Sequence, residues 1–353
     1  MDAKSTDTVF FGSPSDHFLN ALNRFERYST VFILTDEHTK KQCLPVFQSH
    51  YPLFNNARVI SIGNGEKFKN LATVEFVCKE LIRHSADRKS LLINLGGGMV
   101  TDLGGFAASV FMRGIDFINV PTTLLAMVDA SVGGKTGVDV DENKNMIGLF
   151  SIPKAVVISP DYLKTLSYRT LLSGYAEIIK HGLIASESLL KHALNLISND
   201  PFQISEETIA ANISIKKKIV AADFKELETR KLLNFGHTIG HAVESESLKG
   251  TAYLHGEAVA IGIIAELFLS HRLAGFDEKE LTTVSKQIRS AFGTVRCNFS
   301  SEQLLKRMKN DKKNVKGNYS IFLLNKTAKP AGLFSPTTEQ MEEAISFSME
   351  HFA

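Results

Sequence analysis

The sequence predicts an α/β N-terminal domain, built on an open parallel sheet with helices on both faces, followed by a mostly α-helical C-terminal domain. Three observations carry this. The 353 residues suit about two domains, each large enough for its own core. Over the first 150 or so residues, short apolar runs alternate with amphipathic stretches, the signature of strand–helix alternation. After Ser159-Pro160 helical periodicity takes over. Pro160 therefore marks the expected boundary, with domains over 1–160 and 161–353.

Four runs in the first part read as buried strands: Thr30–Thr35, Ala57–Ile62, Ser90–Leu95 and Asp116–Val120. Each is rich in Val, Ile, Leu or Phe and is bounded by turn or polar residues. Leu71–His84 between them is amphipathic at helical spacing. Beyond Asp161 helices are expected over Tyr168–Leu194, Glu206–Val220, Leu232–Ser247, Ala258–Ala274 and Glu278–Phe292.

Composition excludes several function classes. With 44% hydrophobic and 22% charged residues and a net charge of +2, nothing argues for nucleic acid or an anionic membrane as partner. The lysines at 216–218 and at 309, 312 and 313 read, on charge alone, as solvated helix faces. Cys43, Cys78 and Cys297 form no C-x-x-C pair, which suits a reducing compartment. The N-terminal residues lack a signal-peptide pattern, and no apolar stretch is long enough to span a bilayer. A cytoplasmic chain is expected.

Leu91–Leu95 runs into Gly96, Gly97 and Gly98 and then a helical pattern. Strand, glycine turn and helix start together can grip a pyrophosphate, through close backbone approach and the helix N-terminus. The G-x-G-x-x-G template is only partly met, since Thr101 holds the place of the last glycine, and a plain structural turn stands beside the cofactor reading. Gly133-Gly134-Lys135-Thr136 fails as a P-loop, because position 129 is Asp where a glycine is needed.

The densest polar stretch is Arg230–His241. Read as a helix from Asn234, it puts His237 and His241 on one face, with Arg230 and Asn234 extending the stripe backward. Four polar groups on one stripe are costly in a core, and Gly236 and Gly240 are of no use to a plain surface helix. His255 follows in LHGEAVAIG, and Glu177 lies in GYAEIIKHG one helical turn before Lys180. One carboxylate and imidazoles from other helices make an open three-ligand zinc site; spacing alone would pair His237 with His241. His17, His38, His84 and His351 belong to no such group and read from the residues alone as surface or structural.

The runs GGGMVTDLGGFAASVFMRG, PTTLLAMVDASVGGKTGVD, KNMIG, GYAEIIKHG, NFGHTIGHAVE, HGEAVAIG and NDKK, in this order, closely resemble the 3-dehydroquinate synthase family of sugar phosphate cyclases. The resemblance covers about Asp36 to Lys313. It implies a Rossmann-like N-terminal domain, a helical C-terminal domain and an active site in the cleft between them. It also implies NAD, held by Asp36, His38, Glu66, Lys69, Gly97, Gly98, Met99, Asp102, Thr122, Thr123, Lys144 and the stretch Tyr162, Leu163, Lys164 and Thr165.

Zn2+ or Co2+ would be held by Glu177, His237 and His255, leaving His241 as an acid–base residue and correcting the pairing read from spacing. Substrate contacts would be Arg113, Asp129, Lys135, Asn145, Lys180, Lys216, Arg230, Asn234 and Lys312, besides the two ligand histidines. Lys135, Lys180, Glu226 and His241 would be catalytic, and one lysine of each basic cluster would then face the cleft. The implied substrate is 3-deoxy-D-arabino-heptulosonate 7-phosphate, whose phosphate and carboxylate suit converging Lys and Arg side chains. The implied shikimate-pathway reaction is transient oxidation at C5, phosphate elimination, re-reduction and an intramolecular aldol closure, and the family implies a homodimer.

Two positions depart from the family pattern. Thr101 replaces a glycine, and His38 stands where an asparagine usually meets the cofactor ribose; both are expected to weaken NAD binding. The rival readings are a metal-dependent polyol or glycerol dehydrogenase and a sister sugar phosphate cyclase. The first has no need of Arg230, Asn234, Lys135 and Lys180 together. The second tends to differ at Asn234 and His241.

Overall fold

A computed structural model describes residues 9–12, 28–141, 143–293, 295, 299–309 and 319–352. Lys312, expected at the substrate, lies outside the described residues. The chain divides into two compact units, Met1–Ser167 with Ser205–Ile213, and Tyr168–Ile204 with Ser214–Ala353. The division thus falls a little beyond Pro160.

The first unit is organised by a six-stranded parallel sheet of order β1-β8-β5-β4-β2-β3. Its strands are β1 (Val9–Phe11), β2 (Val31–Asp36), β3 (Arg58–Ile62), β4 (Leu91–Gly96), β5 (Asp116–Pro121) and β8 (Ala155–Ile158). Five of the six residues of β2 and all of β4 are buried, as befits strands covered on both faces. The intervening helices are α1 (Glu37–Gln42), α2 (Leu44–His50), α3 (Leu71–Arg83) and α4 (Gly98–Val110). Val74, Val77 and Leu81 of α3 and Leu103, Phe106 and Ala107 of α4 share one core with Phe32, Leu34, Ile60 and Leu92 of the strands. Helix α4 lies close to the sheet: a Cβ on Gly104 would stand 2.0 Å from the Asn94 amide oxygen. Because β2 pairs with β3 on one side and β4 on the other, the chain reverses its order of laying strands there. That reversal, at the carboxyl ends of β2 and β4, is where open α/β sheets take ligands.

Elements absent from the sequence reading complete this unit. β6 (Lys135–Val140) and β7 (Asn143–Phe150) form an antiparallel hairpin, and Ala126–Ala130 is a π-helical turn. Gly133-Gly134-Lys135 thus leads into a strand rather than a helix.

The second unit is mostly helical. It contains α5 (Tyr168–Ala185), α6 (Glu187–Asn199), α7 (Glu206–Ala222, whose first residues belong to the first unit), α8 (His237–Ser247), α9 (His255–Ala274), α10 (Glu278–Ala291) and α11 (Ser301–Lys309). A hairpin of β9 (Ile321–Lys326) and β10 (Lys329–Phe334), then α12 (Thr338–Glu350), follow. Two sequence expectations need correction. The helix expected over Tyr168–Leu194 is broken at Ser186, an N-cap whose hydroxyl accepts the Leu189 N–H; serine competes for backbone donors and starts a new helix there. The helix expected over Leu232–Ser247 is a 3-10 segment, Thr229–Asn234, and then α8. Gly236 between them has φ +80°, a left-handed conformation that glycine adopts without steric cost. Arg230 and Asn234 therefore do not continue the stripe of His237 and His241.

Candidate active site

The second unit holds a buried constellation around Glu177. Helix α5 places Glu177 and Lys180 one turn apart, fully buried, with Lys180 Nζ against Glu177 Oε2 in an ion pair. The Nε2 atoms of His237 and His255 stand 3.4 and 3.5 Å from the other oxygen, Oε1. Neither Glu177 oxygen accepts a hydrogen bond of regular geometry from the described residues. Two imidazole nitrogens aimed at one under-satisfied buried carboxylate oxygen are poorly explained as packing and well explained as a ligand set. One ligand atom from each of Glu177, His237 and His255 falls within a 4.8 Å cluster, and O/N/N is a donor set that zinc or cobalt accepts.

Both imidazoles are oriented from behind. His237 Nδ1 lies 3.2 Å from the Phe235 carbonyl, and His255 Nδ1 lies 3.1 Å from Glu244 Oε2. In a neutral ring such contacts favour the tautomer that presents Nε2. Burial would push the Glu177 carboxyl up, but the Lys180 ammonium and the facing His237 imidazole outweigh it and hold the group well below the usual carboxylate range. Burial depresses His237, against the opposing pull of Glu177, which favours the neutral form that ligates. Burial also pulls His255 down, yet Glu244 and Glu177 together raise it to about 9.

His241, one turn beyond His237, has its ring centroid 5.2 Å from that of His237 and 5.9 Å from that of His255. It is less buried than His237. Arg230 is buried, its Nη1 donating to the Phe224 carbonyl at 2.6 Å and its backbone N–H to Asp223 at 3.1 Å. Asn234 Nδ2 donates to Glu226 Oε1 at 2.7 Å, and Glu226 takes φ +60°. Lys216 is buried on α7. The sequence reading missed Glu244, although it lies on the same face of α8 as His237 and His241, at i+7 and i+3.

The first unit places most of the expected cofactor residues after the carboxyl ends of its strands. Asp36 ends β2 and caps α1, accepting the Thr39 N–H at 2.7 Å; His38 is exposed in the next turn. Gly97 caps α4 with no side-chain partner, so the first N–H groups of Gly98 and Met99 stand at an open helix end. Thr122 follows β5 and donates its N–H to the Gly96 carbonyl at 3.0 Å. A Cβ on Gly97 would come within 3.1 Å of Thr123, a tight cradle that suits glycine. Thr101 is buried, and its hydroxyl donates to the Gly98 carbonyl at 3.1 Å. Its steric cost thus falls on internal packing rather than on the open helix end.

Lys69 is buried and donates to Asp102 at 2.7 Å and Asn145 at 2.8 Å. Glu66 lies 3.9 Å from Lys69 and 3.6 Å from Lys144, which joins four of the expected cofactor residues to Asn145. Burial would lower the Lys69 pKa, but Asp102 and Glu66 outweigh it and raise it. Tyr162 and Leu163 are buried, and Lys164 is exposed beside Asp161 at 2.8 Å. Thr165 donates to the Tyr162 carbonyl. Arg113 and Lys135 are exposed and Asp129 is half-buried in the π-turn. Arg113 and Asn145 have φ of +68° and +52°, strain of the kind found at binding sites.

Residues 59–173 match a family model described as 3-dehydroquinate synthase N-terminal, and 174–314 the corresponding C-terminal model. A 3-dehydroquinate synthase of Parabacteroides distasonis is 41% identical over 338 residues, spanning 95% of this chain and 94% of the relative. The chain belongs to the 3-dehydroquinate synthase family. A 3-dehydroquinate synthase of Sulfurovum sp. is 46% identical over 233 residues, 66% of each chain. Among solved structures, a 2-epi-5-epi-valiolone synthase from Streptomyces hygroscopicus with NAD+ and Zn2+ bound superposes with TM-score 0.84, 22% identity and 98% coverage of both chains. A 2-deoxy-scyllo-inosose synthase complexed with carbaglucose-6-phosphate, NAD+ and Co2+ gives 0.82, 22% and 97% of both. A probable glycerol dehydrogenase from Sinorhizobium meliloti gives 0.62 at 16% identity, covering 98% of this chain and 97% of the other. The architecture of the 3-dehydroquinate synthase family is thus shared with other cyclases and, more distantly, with alcohol dehydrogenases. Among the described residues no helix is long and apolar enough to cross a membrane.

Proposed function

We propose that this chain is a 3-dehydroquinate synthase, converting 3-deoxy-D-arabino-heptulosonate 7-phosphate into 3-dehydroquinate and phosphate. The observation that carries the reading is the buried convergence of Glu177, His237 and His255 in a chain 41% identical to such a synthase over 95% of its length. Glu177, His237 and His255 would hold Zn2+ or Co2+, and the ends of β2, β4 and β5 would hold NAD. When bound, these supply a Lewis acid toward a substrate hydroxyl and a reversible hydride acceptor. The solved cyclases with NAD+ and Zn2+ or Co2+ support that choice.

The chain's own groups bind, orient and move protons. Asp36, His38, Glu66, Lys69, Asp102 and Lys144 would bind the cofactor, as would Gly97, Gly98, Met99, Thr122, Thr123 and the Tyr162–Thr165 stretch. Arg230, its guanidinium oriented by the Phe224 carbonyl, would pair with a substrate anion, with Arg113, Lys135, Lys216 and Lys312 as further cations. Asp129 and Asn145 would hydrogen-bond substrate hydroxyls. Lys180 keeps Glu177 ionised and would reach the hydroxyl to be oxidised. Asn234, aimed by its bond to Glu226, would fix the substrate orientation, while His241 and Glu226 carry protons. The leaving phosphate can take the proton of the C–H it leaves beside, so the elimination requires no strong protein base. A homodimer in the cytoplasm belongs to the same reading.

The test is phosphate release from the heptulosonate phosphate with NAD far below substrate, before and after chelation. Many turnovers per NAD, no accumulating NADH and loss with chelator are expected. NADH accumulation with simple polyols and no phosphate release would replace the reading by a polyol dehydrogenase.

A further inference from the structure

Glu266 is a fully buried carboxylate in the middle of α9. Its neighbours in sequence, Ile263, Ile264, Ala265, Leu267 and Leu269, are also buried. A carboxylate taken from water into such surroundings costs several kcal/mol by the usual order of magnitude unless it is well bonded. Here Oε2 accepts the backbone N–H of Gly236 at 2.7 Å and Oε1 that of Thr238 at 3.2 Å. These residues flank His237 on either side. Gly236, the N-cap of α8, has no side chain with which to satisfy the orphan donors of the first turn. Glu266 therefore caps α8 from a neighbouring helix, its charge complementing the positive end of the helix dipole.

The two helices are too close here for a looser arrangement. A Cβ on Gly262 would stand 1.9 Å from the Gly236 carbonyl oxygen, and one on Gly236 would stand 2.6 Å from Ile263. Backbone on both sides of His237 is thus pinned to α9, the helix that begins with His255. We propose that Glu266 is a positioning residue for the metal site: by clamping Gly236 and Thr238, it sets the backbone of His237 and so the aim of its Nε2 before any metal arrives. The proposal rests on the ligand reading given above and assigns no contact between Glu266 and substrate.

Two measurements test it. Hydrogen exchange on the unaltered, chelated protein should find the Gly236 and Thr238 amides already protected to the degree seen with Zn2+ present. Protection gained only on adding Zn2+ would overturn the proposal. Titration of E266Q with Zn2+ should then show affinity lowered ~10–100-fold, the range for groups that orient metal ligands, with activity recovering at saturating Zn2+. A folded E266Q with unchanged Zn2+ affinity would equally overturn it. If E266Q does not fold, the exchange result decides alone. Failure of the unaltered protein to bind Zn2+ would instead overturn the ligand reading, leaving the amide protection to report on the clamp.

Discussion

In the first unit, polar groups stand at strand ends and on turns, and several are half-buried or exposed; in the second, they are sunk into helices and largely buried. The contrast follows from what each element can offer. A parallel sheet presents backbone N–H groups and short side chains at its carboxyl edge, suited to a long, polar cofactor gripped at many weak points. Packed helices present side chains inward from several directions, suited to a few strong, desolvated groups around a metal. A substitution in the second unit should therefore remove function outright, whereas one in the first should grade it.

The largest effect is expected from His237→Ala or His255→Ala. Loss of a ligand should abolish stoichiometric zinc and lower kcat/KM by ~1,000-fold or more, as befits several kcal/mol of Lewis-acid stabilisation; metal analysis beside phosphate-release kinetics would check it. Glu177→Ala should do the same and also destabilise the chelated protein by about 3–5 kcal/mol, because it breaks the buried ion pair with Lys180. Urea unfolding in chelator reads this, and an unchanged midpoint would erase the distinction between the units. Lys69→Met removes a buried cation of the first unit, paired with Asp102. It should weaken NAD binding by about tenfold, the cost of roughly one charge-assisted hydrogen bond, while leaving zinc content intact. Thr101→Gly should have the smallest consequence for NAD, within about threefold, with a stability loss near 1 kcal/mol from glycine in a helix. Tighter NAD binding in that variant would show instead that Thr101 obstructs the helix end.

Much of the site was legible because its chemistry lies in short contiguous motifs. The ordered runs around Gly97, Lys135, Glu177, His237 and His255 carried the resemblance, and four strands of the sheet were read from local apolar pattern, although β3, at the edge, is only partly buried. Two of the missed features depend on distant partners. β1 is held by pairing with β8, and the break before His237 depends on Gly236 meeting Glu266, a residue far along the chain. The helical stripe through Arg230 and Asn234 failed for that reason: periodicity does not register one left-handed glycine stabilised from another helix.

Residue type and spacing by themselves determined the two-part architecture, the family and the identity of the groups able to ligate or transfer protons. These are properties of local pattern and of side-chain chemistry. Only the tertiary structure decided which of them are buried, that Nε2 of both His237 and His255 turns toward one oxygen of Glu177, and which partners, Glu244 and Phe235, hold those rings from behind. Desolvation and orientation arise from atoms brought together across the fold, and no reading of neighbours along the chain contains them.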